Sequence, residues 1–143
     1  MNARNIGYWV TTGLTALAFA FGGVMDLSRG PDVLAGLGHL GYPIYFATLL
    51  GLWKVLGAVA VLVPGFPRLK EWAYAGMLFD LTGAAFSHGA SGDEPAKVIT
   101  PLVILLFVAA SWYLRPESRV LRPDTLPLSH RSGAGSDLAA ARG

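Results

Sequence analysis

Residues 45–87 run YFATLLGLWKVLGAVAVLV (45–63), PGFPRLKE (64–71) and WAYAGMLFDLTGAAFS (72–87), and this stretch decides the fold. Two apolar segments flank a short turn that holds two prolines. A helix that crosses a bilayer needs about 20 mostly apolar residues, with a range of about 17 to 25. The pattern therefore predicts two membrane-spanning helices that lie antiparallel as neighbours, the second borrowing residues from its flanks.

Two further apolar segments lie outside this stretch, one from Ile6 to Met25 and one from Val98 to Leu114. Hydrophobic residues make up 53% of the chain and charged residues only 14%, whereas soluble domains carry about 25% charged residues. The apolar residues also occur in blocks and not in amphipathic stripes. The sequence therefore predicts an all-α integral membrane four-helix bundle in contact with the lipid bilayer. The net charge of +2 gives no signature of nucleic-acid binding.

The connections and the C-terminus complete the predicted organisation. Pro31 suits the first position of a helix, so a short interfacial helix is expected between the first two spans. After Leu114 the chain contains several prolines and then small polar residues, a composition typical of disorder. We expect a transmembrane domain over residues 1–115 and a disordered cytoplasmic tail over 116–143. A cleaved signal peptide is the alternative for the first segment, but its apolar run continues past the small-residue sites.

The lysines and arginines predict the orientation, because cytoplasmic loops of membrane proteins are enriched in them. With four spans, Arg29 and Lys97 lie on one side. The opposite side then holds Arg4, Arg68, Lys70, Arg115, Arg119, Arg122, Arg131 and Arg142. This bias predicts a multi-pass protein of the bacterial inner membrane with both termini in the cytoplasm.

Two charged residues lie near the middle of predicted spans. Lys54 is the tenth of the nineteen residues 45–63, and Asp80 is the ninth residue from Trp72. At about 1.5 Å per residue both lie roughly 14–15 Å from the 64–71 turn. Each costs about 2.5–3.5 kcal/mol in the bilayer on insertion scales, so we expect them to face each other as a buried ion pair. Such a pair either fixes helix register or lines a polar pocket or proton path.

Other polar residues extend this candidate site. His88 shares the predicted face of Asp80, two turns further along, and a histidine near a carboxylate can move protons. Thr15 and Asp26 belong to a mildly polar stripe of the first span. Trp53 adjoins Lys54 and either faces lipid or walls a pocket. The chain has no cysteine, which excludes thiol redox chemistry and thiolate metal sites, and no metal-ligand spacing is present.

These residues also resemble a known family. The segments Gly51-Leu52-Trp53-Lys54-Val55-Leu56-Gly57, Lys70-Glu71-Trp72-Ala73-Tyr74-Ala75-Gly76, Leu81-Thr82-Gly83-Ala84 and Ser87-His88 resemble the DoxX-like family over residues 7–114. The resemblance implies a four-helix membrane protein. It also implies a link to quinone reduction, redox-stress complexes or receptor assembly, which are known for some relatives. Lys54, Glu71 and His88 match family positions, although the resemblance transfers no catalytic residue set. Glu71 and Trp72 complete the candidate ligand-binding residues.

Three functions follow as hypotheses. The first is binding of a lipophilic small molecule, with a quinone as the candidate cofactor, around Lys54 and Asp80. The second is a non-enzymatic assembly factor or accessory subunit that contacts a membrane-protein partner or a second copy of itself. The third is a small membrane enzyme, such as an isomerase, in which Lys54, Asp80 or His88 acts as acid or base. Whether the chain is an enzyme is left open between them.

Overall fold

The computed structural model describes residues 2–121, and all regular structure within that range is helical. The helices are α1 (Ala3–Ser28), α2 (Pro31–His39), α3 (Tyr45–Leu62), α4 (Pro67–Ala90) and α5 (Pro95–Leu114). A one-turn 3₁₀ helix follows at Glu117–Arg119. This confirms the all-α prediction. The predicted tail lies outside the described residues from position 122 onward.

Three of the helices, α1, α3 and α5, are long and apolar enough to cross a membrane. The fourth long helix, α4, has 24 residues but is less apolar. It begins at Pro67 and not near Trp72, because Pro67 occupies the first helical turn after a turn in which Gly65 and Phe66 both have positive φ. The charged residues of this first turn therefore belong to the helix itself.

Contacts between the long helices define two ends of the molecule. At one end, which we call the Arg115 end, Arg4 of α1 donates a hydrogen bond to the Arg115 carbonyl, at 3.2 Å. Lys70 of α4 lies there beside the last turn of α3. At the other end, the Asp93 end, the carboxylate of Asp93 contacts His88 in the last turn of α4 and Lys97 in the first turn of α5. Helices α1 and α4 thus run from the Arg115 end to the Asp93 end, and α3 and α5 run back.

The core lies between these four helices. It consists of Ala16, Phe19, Ala58, Val61, Tyr74, Met77, Leu81 and Val108. Helix α1 packs extensively against α3 and α5, and α4 packs mainly against α5. The contact between α3 and α4 is smaller, although the turn makes them neighbours. Helices α1 and α4 make little direct contact, which leaves room between them and α5 on the side of the Asp93 end.

The short helix α2 follows α1 after a left-handed residue, Arg29, with φ of 49°. Pro31 is its first residue, as the sequence predicts. None of its residues is buried, and it makes only a small contact with α3. Its interfacial position remains a prediction.

Candidate functional site

Two glycines bring α1 and α3 together at the site. A Cβ on Gly51 would lie 2.7 Å from the Gly23 carbonyl oxygen and from Leu27 Cγ. A Cβ on Gly23 would lie 2.9 Å from the Gly51 carbonyl oxygen. Real side chains do not reach such distances, so only glycine permits this approach. Small residues serve this purpose widely between membrane helices. The close contact places the next turn of α3 directly against the end of α1.

Lys54 consequently forms its ion pair with α1. Its Nζ donates a hydrogen bond to Asp26 Oδ2 at 2.8 Å, and both side chains are largely buried. This corrects the predicted pairing of Lys54 with Asp80. Both residues line one cavity, but counting along each helix does not decide which neighbour is nearer. The Gly23–Gly51 contact decides it in favour of Asp26.

The glycines of α4 differ from those of α1 and α3 in their surroundings. A Cβ on Gly76 or Gly83 would meet nothing within 4 Å, so these glycines do not pack against α3. Thr15, from the polar stripe of the first span, is buried together with Thr12 and Phe19.

A partly open cavity of about 350 Å³ lies beside the Lys54–Asp26 pair. All four long helices contribute to it. Its lining residues are Ala18, Phe19, Gly22, Lys54, Asp80, Leu81, Ala84, His88, Lys97, Thr100, Pro101 and Ile104. From Asp80 to His88 along α4 it extends about 12 Å at 1.5 Å per residue. The wall is mostly apolar, with ionisable groups at the deep end and at the end near Asp93.

Asp80 is the carboxylate that faces this cavity. Within residues 2–121 no basic side chain forms an ion pair with it, because Lys54 is engaged by Asp26. The charges of Lys54 and Asp26 both act on Asp80, the first attractively and the second repulsively. Asp80 is therefore the group best placed to meet a polar atom of a bound molecule.

A second polar cluster lies at the Asp93 end. Asp93 Oδ2 is 2.7 Å from His88 Nδ1, and Oδ1 is 2.9 Å from His39 Nε2. Lys97 Nζ lies 3.7 Å from Oδ1. The hydrogen bond from His88 is the main cause that lowers the pKa of Asp93 below its ordinary value. His39 belongs to α2, so this carboxylate joins α2, α4 and α5 at one point.

His88 thus links the Asp93 cluster to the cavity. It lines the cavity and contacts Asp93 at the same time, which brings it together with Lys54 and Asp80 as the sequence predicts. No group of three His, Cys, Asp or Glu residues within residues 2–121 is arranged to hold a metal ion.

The other predicted site residues lie elsewhere. Trp53 is 65% exposed on the outer face of α3, and Trp72 is 76% exposed on α4. Thr15 is fully buried in α1, and its hydroxyl has no hydrogen-bond partner among residues 2–121. Glu71 is at the Arg115 end, where its Oε1 accepts a hydrogen bond from Arg115 Nη2 at 2.7 Å. None of these four lines the cavity.

The family-like block that begins at Lys70 has a structural role at the Arg115 end. Lys70 is completely buried and donates to the carbonyls of Ala60, at 2.8 Å, and of Val61 and Val63. It thereby caps the last turn of α3, whose carbonyls lack helical donors. Tyr74 hydrogen-bonds Ser111 at 2.7 Å. From the sequence, Lys70 counts only as a cytoplasmic charge. Its position one helical turn after Phe66 was the signal that could have placed it inside α4.

Three cavity residues on α5 were missed from the sequence. Lys97, Thr100 and Pro101 recur at three- and four-residue spacing and share one face. Pro101 lies inside α5, and because it has no N–H it cannot bond the Lys97 carbonyl four residues earlier. This spacing was a visible signal of a face that packs against other helices. The mostly aliphatic composition of α5, however, favours a helix whose surface faces lipid.

A model of the DoxX-like family matches residues 10–111. The match covers the cavity and both of its charged ends. No curated protein and no solved structure matches the chain.

Proposed function

Since this chain belongs to the DoxX-like family, we propose that it is a four-span membrane protein that binds a lipophilic small molecule in the cavity between its helices. The carrying observation is the cavity itself. Apolar side chains such as Phe19 and Ile104 share its lining with Lys54, Asp80 and His88. Sites for small molecules typically combine an apolar wall with a few placed polar groups.

The chain path supports four spans. Helices α1, α3 and α5 each qualify as spans, and α3 ends at the Arg115 end whereas α5 begins at the Asp93 end. Helix α4 must return the chain across the whole distance, and its 24 residues extend about 36 Å. The lower apolarity of α4 reflects Asp80 and the charged first turn. Its polar groups therefore need protein neighbours or a bound molecule inside the bilayer.

The described charges support a cytoplasmic Arg115 end. Arg4, Lys70, Arg115 and Arg119 all lie at this end, as the positive-inside rule requires for a cytoplasmic face. Both termini would then be cytoplasmic, in the bacterial inner membrane. Helix α2 would lie on the opposite surface, above the opening of the cavity. A cysteine-accessibility assay at each end tests this orientation.

The cavity dimensions limit what it holds. About 350 Å³ is at the lower end of the range for ligand pockets, roughly 300–1,000 Å³. It accommodates a ring or head group, while an attached alkyl chain extends between helices into lipid. A quinone meets these conditions in both of its forms, because the carbonyl oxygens of the oxidised form can accept hydrogen bonds from Lys54 or Lys97, and the hydroxyl groups of the reduced quinol can donate to the Asp80 carboxylate. We therefore propose a quinone as the first ligand to test.

The decisive experiment is mass spectrometry of lipophilic molecules that copurify with the protein in mild detergent. Ala84→Phe fills the cavity, and Ala109→Phe is the matched control on the exposed surface of α5. We expect one molecule to copurify with the wild type and with Ala109→Phe, and to be lost from Ala84→Phe. Equal recovery from both variants, or a molecule in neither, would contradict the proposal.

Acid–base catalysis is the second candidate function. Its support is that Asp80 and His88 line one cavity and that His88 Nδ1 is 2.7 Å from Asp93. A histidine oriented by a carboxylate can act as a general acid or base. Incubation with the copurified molecule in D₂O tests this directly. Deuterium at carbon positions that disappears in Asp80→Asn supports catalysis, and its absence in the wild type excludes this isomerase chemistry.

A further inference from the structure

The outer surface of α4 carries a regular pattern of large and small residues. Trp72, Phe79 and Phe86 alternate along it with Gly76 and Gly83. We call these five residues the aromatic–glycine face. Its spacing of four and three residues is that of a heptad seam, in which one helix packs along another. No part of the described chain covers it, since the three aromatic side chains are 76%, 72% and 77% exposed.

We propose that the aromatic–glycine face is the contact through which two copies of this chain form a twofold dimer in the membrane. The inference takes from the proposed function only the four-span arrangement and is independent of the ligand. Both glycines present open grooves, because a Cβ on either would meet nothing within 4 Å. The aromatic rings supply the groups to fill those grooves.

The geometry of two copies makes the face self-complementary. Both copies insert with the same orientation, so a twofold axis runs along the membrane normal and the two α4 helices are parallel. Side chains on a helix point toward its N-terminus. The ring of Phe79 therefore lies at the level of Gly76, and the ring of Phe86 at the level of Gly83. Each ring can pack against the glycine of the second copy at that level.

The two glycines of the aromatic–glycine face point to protein and not lipid as its neighbour. Lipid-exposed glycines leave backbone uncovered, whereas small residues opposite a second helix permit close packing. A second copy would therefore cover the backbone that Gly76 and Gly83 leave open.

The available area is sufficient for a specific contact. Aromatic side chains bury about 150–250 Å² each when fully covered, and these three are about three-quarters exposed. Together they offer roughly 350–550 Å² per copy, or about 700–1,100 Å² over two copies before the glycines are added. This approaches the roughly 1,000 Å² that separates specific interfaces from incidental contacts.

Cysteine cross-linking in lipid vesicles tests the contact, because the native chain has no cysteine. Ala90 continues the Gly76–Gly83 spacing by seven residues at the end of α4, where an oxidant can reach it. Ala96→Cys on α5 is the matched control, since it is also an exposed alanine at the Asp93 end. We expect Ala90→Cys to form disulfide-linked dimers at least tenfold faster than Ala96→Cys. Equal rates would overturn the proposal.

A second measurement covers the case in which the introduced cysteine itself disturbs packing. Subunit counting by single-molecule photobleaching compares the double variant Gly76→Leu, Gly83→Leu with Gly13→Leu, an exposed glycine of α1 with open space. We expect the double variant to be monomeric and Gly13→Leu to be dimeric. A monomeric wild type, an unchanged double variant, or a wild type found with a different protein in place of its copy would each overturn the proposal. Copurification of the ligand is scored separately, so failure of the dimer and failure of the ligand site are distinguishable.

Discussion

Replacing Lys54, Asp26 and Asp80 singly and in pairs tests the ionic arrangement on which the candidate site rests. The variants are Lys54→Met, Asp26→Asn and Asp80→Asn, with the two doubles that contain Lys54→Met. In the structure Lys54 forms an ion pair with Asp26 at 2.8 Å, whereas it acts on Asp80 only through a longer-range electrostatic interaction. Residues in contact couple energetically, and residues that merely lie near each other are close to additive.

The expected magnitudes differ between the two pairs. A hydrogen bond between charged groups contributes about 1.5–3 kcal/mol. The side chains of Lys54 and Asp26 are 23% and 18% exposed, so solvent screens the pair only weakly. We expect a coupling free energy of about 1.5–3 kcal/mol for Lys54 with Asp26. For Lys54 with Asp80 we expect less than about 1 kcal/mol.

Unfolding in mixed detergent micelles, followed by helical circular dichroism, supplies the free energies for both double-mutant cycles. Single variants that leave an uncompensated charge should be the least stable, and Lys54→Met should be partly rescued by Asp26→Asn. Rescue by Asp80→Asn in place of Asp26→Asn would refute the assignment and restore the pairing expected from depth alone. Equal rescue by both would show a shared three-residue cluster.

Three further outcomes are expected. Gly51→Ala should destabilise the protein by about 1–3 kcal/mol, because its Cβ would lie 2.7 Å from atoms of α1. The control Gly13→Ala has open space around its Cβ and should stabilise the protein by up to about 1 kcal/mol. Unfolding in micelles measures both free energies. Lys70→Met should cost about 1–3 kcal/mol in the same assay, since buried carbonyls of α3 lose their donor. The pKa of Asp93 is lowered by His88, so its stabilisation is present above the ordinary pKa of about 3.9 and is lost as pH falls through the lowered folded value. Asp93→Asn should therefore flatten the acid limb of a stability–pH curve, and an unchanged limb would contradict this role.

The helical elements could be predicted from sequence because lipid imposes a simple length and composition rule. The segments from Ile6, Tyr45 and Val98 each became a long apolar helix. A helix does cover the segment from Trp72, but it begins five residues earlier, at Pro67. Proline is common in turns and also favourable at the first position of a helix, so the sequence did not fix this start. The charged block after Pro67 therefore joined α4, which turned Lys70 and Glu71 from loop residues into helix residues.

The candidate site was predictable only in part. Depth along a helix can be predicted from residue counting, and Lys54, Asp80 and His88 do line one cavity. The rotation of each helix about its own axis and the distances between helices do not follow from residue counting. They depend on which pair of small-residue faces closes, and both α1 and α4 carry such faces. Asp26 lies near the end of α1, so its place in the sequence indicates an interfacial residue. Its nearness to Lys54 arises from the tertiary contact between Gly23 and Gly51, which the sequence does not reveal.

The choice of partner by Lys54 decides which carboxylate is left for the cavity. Gly23 and Gly51 bring α3 against α1, and Lys54 is the residue of α3 that lines the cavity, whereas the other lining residues belong to α1, α4 and α5. The aspartate on α1 neutralises the lysine, and the aspartate on α4 is left facing open space. A bound molecule that donates a hydrogen bond is the partner that we propose for that carboxylate, and ligand recovery is therefore the measurement that follows most directly from the ion-pair assignment.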